Sequence, residues 1–135
     1  MASVLNPYLS FKDNARQAME FYEDVFGGRL TVHTFGSFGA PDGPEAEKVM
    51  HAQLDTGNGF TLMASDTPAG MEHNPGSNIS VSLSGDDADD LRGYWHKLSE
   101  GGTVTVPFEK QAWADEFGCC VDKFGIPWMV NIVQG

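Results

Sequence analysis

Residues 6–32 read NPYLSFKDNARQAMEFYEDVFGGRLTV, and residues 78–106 read NISVSLSGDDADDLRGYWHKLSEGGTVTV. The second stretch repeats the first, with an asparagine, an aromatic pair and a glycine pair in matching places: Asn6 and Asn78, Phe21-Tyr22 and Tyr94-Trp95, Gly27-Gly28 and Gly101-Gly102. The offset is 72 residues at the asparagines and 74 at the first glycines. Because the offset changes so little along the stretch, the sequence predicts that the same structural module occurs twice in the chain.

Each copy has the pattern of a strand followed by a helix. Apolar and polar residues alternate at its start, which is typical of a half-buried strand. Asn14 and Asp86 are then suitable helix N-caps, and Gly27 and Gly101 are suitable left-handed helix ends. Between them, apolar residues follow the i, i+3, i+4, i+7 spacing of one buried helix face: Ala15, Ala18, Met19, Tyr22, Val25 and Phe26, then Ala88, Leu91, Tyr94, Trp95 and Leu98.

A strand and a hairpin follow each helix. The strands are predicted at 29–36 and 103–110. The first hairpin, KVMHAQLDTGNGFTLMASD, should turn at Asn58-Gly59, and the second, FGCCVDKFGIPWMVNIV, at Lys123-Phe124-Gly125. Aligned on these turns, Asp55 meets Asp122, Gly59 meets Gly125 and Met63 meets Met129. Each half is therefore predicted to be a β-α-β-β-β module.

Length and composition indicate one globular α+β domain over 1–135, with module one at about 1–68 and module two at about 76–135. No apolar run is long enough to span a bilayer, and the N-terminal Met-Ala-Ser-Val has no basic region before an apolar one, so a cytoplasmic protein without membrane contact is expected. The formal charge of −11, from 19 acidic and 8 basic residues, argues against nucleic acid as a partner.

The chain has two cysteines, Cys119 and Cys120, which are neighbours in sequence. A disulfide between neighbours would need a strained ring, and the pair is neither a C-x-x-C redox motif nor half of a zinc site. Strand alternation puts the two thiols on opposite faces, so they cannot act together on one substrate. We expect reduced thiols, one of them buried.

Two such modules side by side would form one curved eight-stranded mixed sheet around a cleft, with the helices outside. This arrangement resembles the vicinal oxygen chelate superfamily of glyoxalases, bleomycin and fosfomycin resistance proteins and extradiol dioxygenases. The match is most similar to its PhnB-like branch. It is carried by three segments: NPYLSFKDNARQAMEFYEDVFGG, KVMHAQLDTGNGFTLMASD and FGCCVDKFGIPWMVN.

The resemblance implies where a metal would bind. Its metal-using members place His, Gln or Glu ligands on the first and last strands of each module, and those positions fall here on Asn6, Met63, Asn78 and Met129. Amides and thioethers make a poor site for a catalytic divalent ion. We therefore expect neither a metal nor another cofactor at these positions. The alternative is a metal held elsewhere, by residues such as His51, Asp66 or His73.

Four histidines remain to be placed. His33 and His96 are interpreted as surface or rim groups, and His73 lies in the loop between the modules. If the first hairpin has a two-residue turn, His51 falls opposite Asp66. An imidazole held by a carboxylate is a stable structural pair and also a usable general base.

A ligand-binding cleft is predicted from the polar strand faces. By the period of two in a strand, one face carries Asn6, Tyr8 and Ser10, and one face of the matching strand carries Asn78, Ser80 and Ser82. Both faces are polar for a protein core. These residues could instead face solvent at an open edge. The predicted cleft residues are Asn6, Tyr8, His51, Met63, Asn78, Ser80, Met129 and Asn131.

Three functions fit these patterns. The first is a metal-free small-molecule-binding protein that uses the cleft, with an unidentified ligand and no assigned catalytic residue. The alternative is a metal-dependent lyase, isomerase or dioxygenase of the same superfamily. The third is an interaction protein whose dimer surface is its purpose. Superfamily sheets are commonly covered by a second chain, so a homodimer is expected, and whether it exchanges modules stays open.

Overall fold

Each half of the chain folds as the predicted β-α-β-β-β module. The computed structural model describes residues 3–38, 43, 45–68, 70–112 and 114–133. The chain divides into two compact units, Met1–Pro75 and Gly76–Gly135. The first contains β1 (Tyr8–Phe11), α1 (Ala15–Phe26), β2 (Arg29–Thr34), a 3₁₀ turn (Gly36–Phe38), β3 (Val49–Asp55) and β4 (Thr61–Asp66). The second contains β5 (Val81–Gly85), α2 (Ala88–Ser99), β6 (Thr103–Gln111), β7 (Ala114–Val121) and β8 (Pro127–Ile132). The single domain over 1–135 stays a prediction.

The strands form two mixed sheets of four. The first sheet has the order β1-β4-β3-β2 and the second has the order β5-β8-β7-β6. β1 pairs with β4 and β5 pairs with β8 in parallel, whereas the other pairs are antiparallel. The α+β fold class is confirmed. In place of the expected single eight-stranded sheet, the described strands form two ladders of four, with β1 and β5 as edge strands.

Each sheet has one apolar face that its helix covers. In the first sheet the buried residues alternate along the strands and lie under α1, which contacts β2, β3 and β4: Leu9, Phe11, Ala52, Leu54, Leu62 and Ala64. In the second sheet the corresponding residues lie under α2: Leu83, Cys120, Trp128, Val130 and Ile132. The opposite face of each sheet, called here the helix-free face, carries the half-exposed residues in between. Within the described ranges, no helix is long and apolar enough to cross a membrane.

The helix ends differ in detail from those predicted. Asn14 is the N-cap of α1, but its side chain makes no capping hydrogen bond. The Asp66 carboxylate accepts from the Ala15 amide instead, at 2.9 Å. The N-cap of α2 is Asp87 rather than Asp86, because the Asp86 carbonyl accepts from the Ala88 amide in a turn before the helix. Gly27 and Gly101 have positive φ, as predicted for the helix ends.

The first hairpin turns over three residues instead of two. The register pairs Ala52 with Ala64, and the Thr56 amide donates to the Phe60 carbonyl, which leaves residues 57–59 as the loop. Gly59 takes the left-handed conformation that a three-residue loop requires, at φ 86°. This register has two consequences. Asp66 does not lie opposite His51, and the residue of module one that occupies the same position in its hairpin as Asp122 is Thr56 rather than Asp55.

The two turns also share a mechanism. The Thr56 hydroxyl accepts from the Phe60 amide at 3.1 Å, and the Asp122 carboxylate accepts from the Ile126 amide at the same distance. In both hairpins, a side-chain oxygen of the residue that begins the turn therefore accepts a hydrogen bond across the turn. This shared role explains why Thr56 is the residue that corresponds to Asp122.

Replacement of Asp66 by alanine should destabilise module one. Asp66 is 3% exposed, and its two oxygens accept from the amides of Ala15 at 2.9 Å and Val49 at 2.8 Å. The loss should be roughly 2–5 kcal/mol, because each buried amide left unpaired costs about 1–3 kcal/mol. Urea unfolding measures it. Asp55→Ala, on an exposed carboxylate of the same hairpin, should cost less than about 1 kcal/mol. Equal losses in the two variants would contradict this role for Asp66.

Two glycine-to-alanine changes in module two should have opposite signs. A Cβ at Gly118 would lie 2.9 Å from the Phe108 Cα and from the Trp95 ring, so Gly118→Ala should cost about 1–3 kcal/mol. A Cβ at Gly93, inside α2, meets nothing within 4 Å, so Gly93→Ala should stabilise by up to about 1 kcal/mol. Thermal unfolding of both variants provides the comparison, and a neutral Gly118→Ala would refute the packing.

Candidate functional site

On the helix-free face of the first sheet, Tyr8, His51 and Met63 come together. Tyr8 pairs with Met63 in the parallel ladder. The Tyr8 hydroxyl lies 3.3 Å from His51 Nδ1, and the two ring centroids are 5.8 Å apart. Three of the four predicted cleft residues of module one are thus neighbours on one face. Asn6, the fourth, is half-buried and precedes β1.

One ring nitrogen of His51, Nδ1, contacts the Tyr8 hydroxyl. A Tyr8 hydroxyl that donates to Nδ1 leaves the proton of the neutral imidazole on Nε2, where it can be donated to a ligand. The predicted pairing with Asp66 is wrong. The three-residue turn shifts the register by one residue, and such a shift moves a side chain to the other face of the sheet. Asp66 therefore lies under α1, and His51 lies on the helix-free face.

His33 also lies on this face, where the sequence had placed only a rim group. It pairs directly with His51 in the β2–β3 ladder and is half-buried. Directly opposed residues of an antiparallel pair project to the same side of the sheet. His96 is exposed on α2, as predicted.

The helix-free face of the second sheet is built around Asn131. The parallel β5–β8 ladder pairs Ser82 with Met129 and Ser84 with Asn131. In the antiparallel β7–β8 ladder, Cys119 lies opposite Met129. Asn131 Nδ2 lies 3.5 Å from Ser84 Oγ, a long contact. Asn131 Oδ1 is buried and has no hydrogen-bond partner among the described residues. Met129 and Asn131 thus share the predicted face.

Asn78 and Ser80 do not join this group. Both are exposed and precede β5, whose ladder with β8 begins at Val81 and Trp128. Their alternation continues into Ser82 and Ser84, and those two serines occupy the strand positions. Ser84 is the neighbour of Asn131 that the predicted set of cleft residues did not include. The alternation that selected Asn78 and Ser80 pointed to it as well.

Both cysteine thiols have a raised pKa. Cys120 is buried on the helix side, and burial, the Asp122 charge and Cys119 together raise its pKa to about 11. Burial also raises the pKa of the half-buried Cys119 thiol, on the opposite face. Both side chains therefore stay protonated, which removes the thiolate that nucleophilic chemistry needs. Trp128 packs behind the sheet and donates from Nε1 to Asp122 at 2.8 Å.

The described residues do not fit a catalytic metal. Within the described parts of the chain, no three His, Cys, Asp or Glu side chains form a group that could hold a metal ion. Both oxygens of Asp66 accept from backbone amides, and His73 Nδ1 lies 3.2 Å from the Thr67 hydroxyl. The alternative site of His51, Asp66 and His73 is therefore not assembled. The superfamily positions offer amides and thioethers, whose chemistry does not suit a hard divalent ion.

Comparison with known proteins agrees with the fold. Residues 3–131 match the sequence pattern of the family described as 3-demethylubiquinone-9 3-methyltransferase. Protein YjdN of Escherichia coli K12 is 26% identical over 142 residues, which covers 96% of this chain and 95% of YjdN.

Solved structures show the same relationship. Protein PA1353 from Pseudomonas aeruginosa is 36% identical and superposes with a TM-score of 0.85, over 99% of this chain and all of the other. The PhnB protein from Bacillus cereus, at 23% identity, covers 97% of this chain and 100% of its own with a TM-score of 0.74. A glyoxylase/bleomycin resistance protein/dioxygenase domain from Frankia shares the fold, with 14% identity over 99% of both chains and a TM-score of 0.67. The chain therefore belongs to the PhnB-like family, the one described as 3-demethylubiquinone-9 3-methyltransferase, and it shares its fold with a glyoxylase/bleomycin resistance protein/dioxygenase domain.

Proposed function

We propose that the protein binds a small amphipathic molecule, without a metal, on the helix-free faces of its sheets. The observation that carries this proposal is the buried Oδ1 of Asn131, which has no hydrogen-bond partner among the described residues. A buried polar atom without a partner costs about 1–3 kcal/mol. A ligand that donates a hydrogen bond to this oxygen would remove that cost.

The neighbours of Asn131 indicate the class of ligand. Phe117 and Ser84 lie directly opposite Asn131 on its two sides, and Met129 is two residues away on the same strand face. The Ser84 hydroxyl and the unpaired carbonyl oxygen of Asn131 favour a ligand with hydroxyl or amine donors. A thioether and a ring favour an apolar or aromatic part, because sulfur contacts aromatic rings favourably.

The first sheet offers similar chemistry on its own helix-free face. Tyr8 supplies a hydroxyl, His51 a ring nitrogen and Met63 a thioether. Small-molecule sites commonly combine an apolar floor with a few directed polar groups. This composition supports a binding role for module one as well.

Other activities receive less support. Methyl transfer, the reaction named in the family description, needs a methyl-donor cofactor, and the sequence has no glycine-rich cofactor motif. Metal-dependent lyase, isomerase or dioxygenase chemistry lacks a suitable donor set among the described residues. The proposal is therefore binding rather than catalysis.

We propose further that the protein acts as a cytoplasmic homodimer. Support comes from the superfamily resemblance and from the exposed apolar side chains of β6, where Val104 is 47% exposed and Val106 is 36% exposed. A second copy that covers them would remove apolar surface from water.

The substitution Asn131→Leu should separate binding from stability. A screen of hydroxylated aromatic fragments by ligand-observed NMR identifies binders of the wild-type protein. Asn131→Leu should weaken their affinity at least tenfold, which is about 1.4 kcal/mol. It should leave the free energy of unfolding unchanged or raise it, because it removes a buried unpaired group.

The double variant Cys119→Ser, Cys120→Ala is the matched control from the same hairpin. It should retain fragment binding, because the cysteines are protonated and offer only weak hydrogen bonds. The proposal fails if the cysteine variant abolishes binding with the fold intact while Asn131→Leu has no effect.

Purified protein should carry no stoichiometric transition metal. Asn6, Met63, Asn78 and Met129 lack imidazole and carboxylate donors, so zinc, iron and manganese should each stay below about 0.1 equivalent after purification without chelator. Elemental analysis gives the ratio. One equivalent of metal that disappears in the Asn6→Ala, Asn78→Ala double variant would overturn the assignment.

A further inference from the structure

We propose that His33 and His51 form a two-imidazole site for a divalent copper ion on the helix-free face of the first sheet. The two histidines lie directly opposite each other in the antiparallel β2–β3 ladder, and both are half-buried. Directly opposed residues of such a pair project to the same side of the sheet, with Cβ atoms about 4.5–5.5 Å apart. This site goes beyond the proposed function, which is carried by Asn131 of module two.

The contact with Tyr8 turns the His51 ring toward His33. The strand order β1-β4-β3-β2 puts Tyr8 and His33 on opposite sides of His51. The Tyr8 hydroxyl lies 3.3 Å from His51 Nδ1, so Nδ1 is on the side of the ring that faces β4. The two nitrogens of an imidazole direct their lone pairs away from each other. His51 Nε2 is therefore directed toward β2, the strand that carries His33.

Tyr8 also supplies the hydrogen bond that a metal-binding imidazole needs on its other nitrogen. When Nε2 of a neutral His51 binds a metal ion, the ring proton is on Nδ1, from which it is donated to the Tyr8 oxygen. Histidines that bind metals commonly make such a hydrogen bond, because it fixes the tautomer and the orientation of the ring. Tyr8 thus holds the ring in place without binding the ion.

An irregularity of the β2–β3 ladder lies directly beside the two histidines. His33 pairs with His51, and the next pair joins Thr34 to Val49, so Met50 is an extra residue of β3 between the two pairs. Extra residues of this kind are frequent next to binding and catalytic sites, where they redirect neighbouring side chains. The position of the histidine pair next to this bulge is a second observation in favour of a ligand site.

The donor set selects copper among the divalent ions. Cu²⁺ binds nitrogen donors more tightly than the other divalent first-row ions do, and its tetragonal geometry can take two neighbouring imidazoles and leave the other positions to water. Zinc sites commonly use three or four protein ligands, and the described residues contain no group of three His, Cys, Asp or Glu side chains suited to a metal. The net charge of −11 favours the approach of a cation.

This site does not change the metal content expected of the purified protein. Two donors hold a divalent ion less tightly than the three or four ligands of a resident metal site. Copper therefore occupies the site when it is supplied in solution, and protein purified without added copper should stay metal-free.

Titration of the full chain with Cu²⁺ tests the proposal. Isothermal calorimetry should give one copper ion per chain. Because Cu²⁺ is paramagnetic, substoichiometric amounts should selectively broaden the NMR signals of His33, His51 and their strand neighbours. Electron paramagnetic resonance should show two bound imidazole nitrogens in the wild-type protein. His33→Gln and His51→Gln should each leave one nitrogen and raise the Kd at least tenfold, which is about 1.4 kcal/mol.

Three control variants locate the ion. His96→Gln, on an exposed histidine of α2, should leave the Kd unchanged. The double variant Cys119→Ser, Cys120→Ala should also leave it unchanged, which excludes the thiols as ligands. Asn131→Leu should have no effect on copper binding, so that this result and the test of the proposed function can fail independently.

Several results would overturn the site. A single bound nitrogen in the wild-type spectrum would show that the histidines do not act together. A rise in Kd with His96→Gln as large as that with His33→Gln would show nonspecific binding to surface histidines. Loss of binding in the cysteine double variant would move the ion to the second module.

Discussion

The parallel pairing of the first and last strand in each module determines where a site can lie. Parallel neighbours cannot be joined by a tight turn and need a crossover connection, which helices α1 and α2 begin. Each helix covers one face of its own sheet and buries the apolar half of the alternating residues there. The other face is left to Tyr8, His51 and Met63 in the first sheet and to Met129 and Asn131 in the second. The polar pattern of these faces follows from the topology.

The two modules repeat the fold but place their buried carboxylates differently. In module one the carboxylate is Asp66, at the end of the last strand, where it joins the start of α1 to the start of β3. Ile132 takes the matching place in module two and is buried as an apolar residue. Module two buries Asp122 instead, at its hairpin turn, where module one has Thr56. Among the described residues, each module therefore contains one buried carboxylate whose oxygens accept from backbone or indole N–H groups. The two carboxylates lie at opposite ends of their hairpins.

The sequence predicted the modules well because alternation and helical spacing report burial directly. The buried face of α1 and the opposite orientations of Cys119 and Cys120 follow from periodicity alone. The errors in the predicted turn and in the predicted cleft residues arise from hydrogen bonding and strand pairing, which periodicity does not report. Asn58-Gly59 suits a two-residue turn, but whether Gly57 joins the loop depends on the hydrogen bond between Thr56 and Phe60, which periodicity does not contain. That one residue separated His51 from Asp66. Likewise, alternation at Asn78 and Ser80 could not show that β8 first pairs with β5 at Val81.

The contrast between Asp122 and Asn131 gives the binding hypothesis its physical basis. Both residues belong to the same hairpin region, and both place polar side-chain atoms out of solvent. Asp122 Oδ1 accepts from the amides of Phe124 at 2.8 Å and Ile126 at 3.1 Å, and Oδ2 accepts from the Trp128 indole. The fold therefore satisfies a buried side chain fully where stability alone is at stake. Asn131 stands nine residues later and keeps a buried oxygen without a partner among the described residues, although leucine would fill the position without that cost. Under the binding proposal, a ligand's hydrogen-bond donor is the reason for an asparagine at this position.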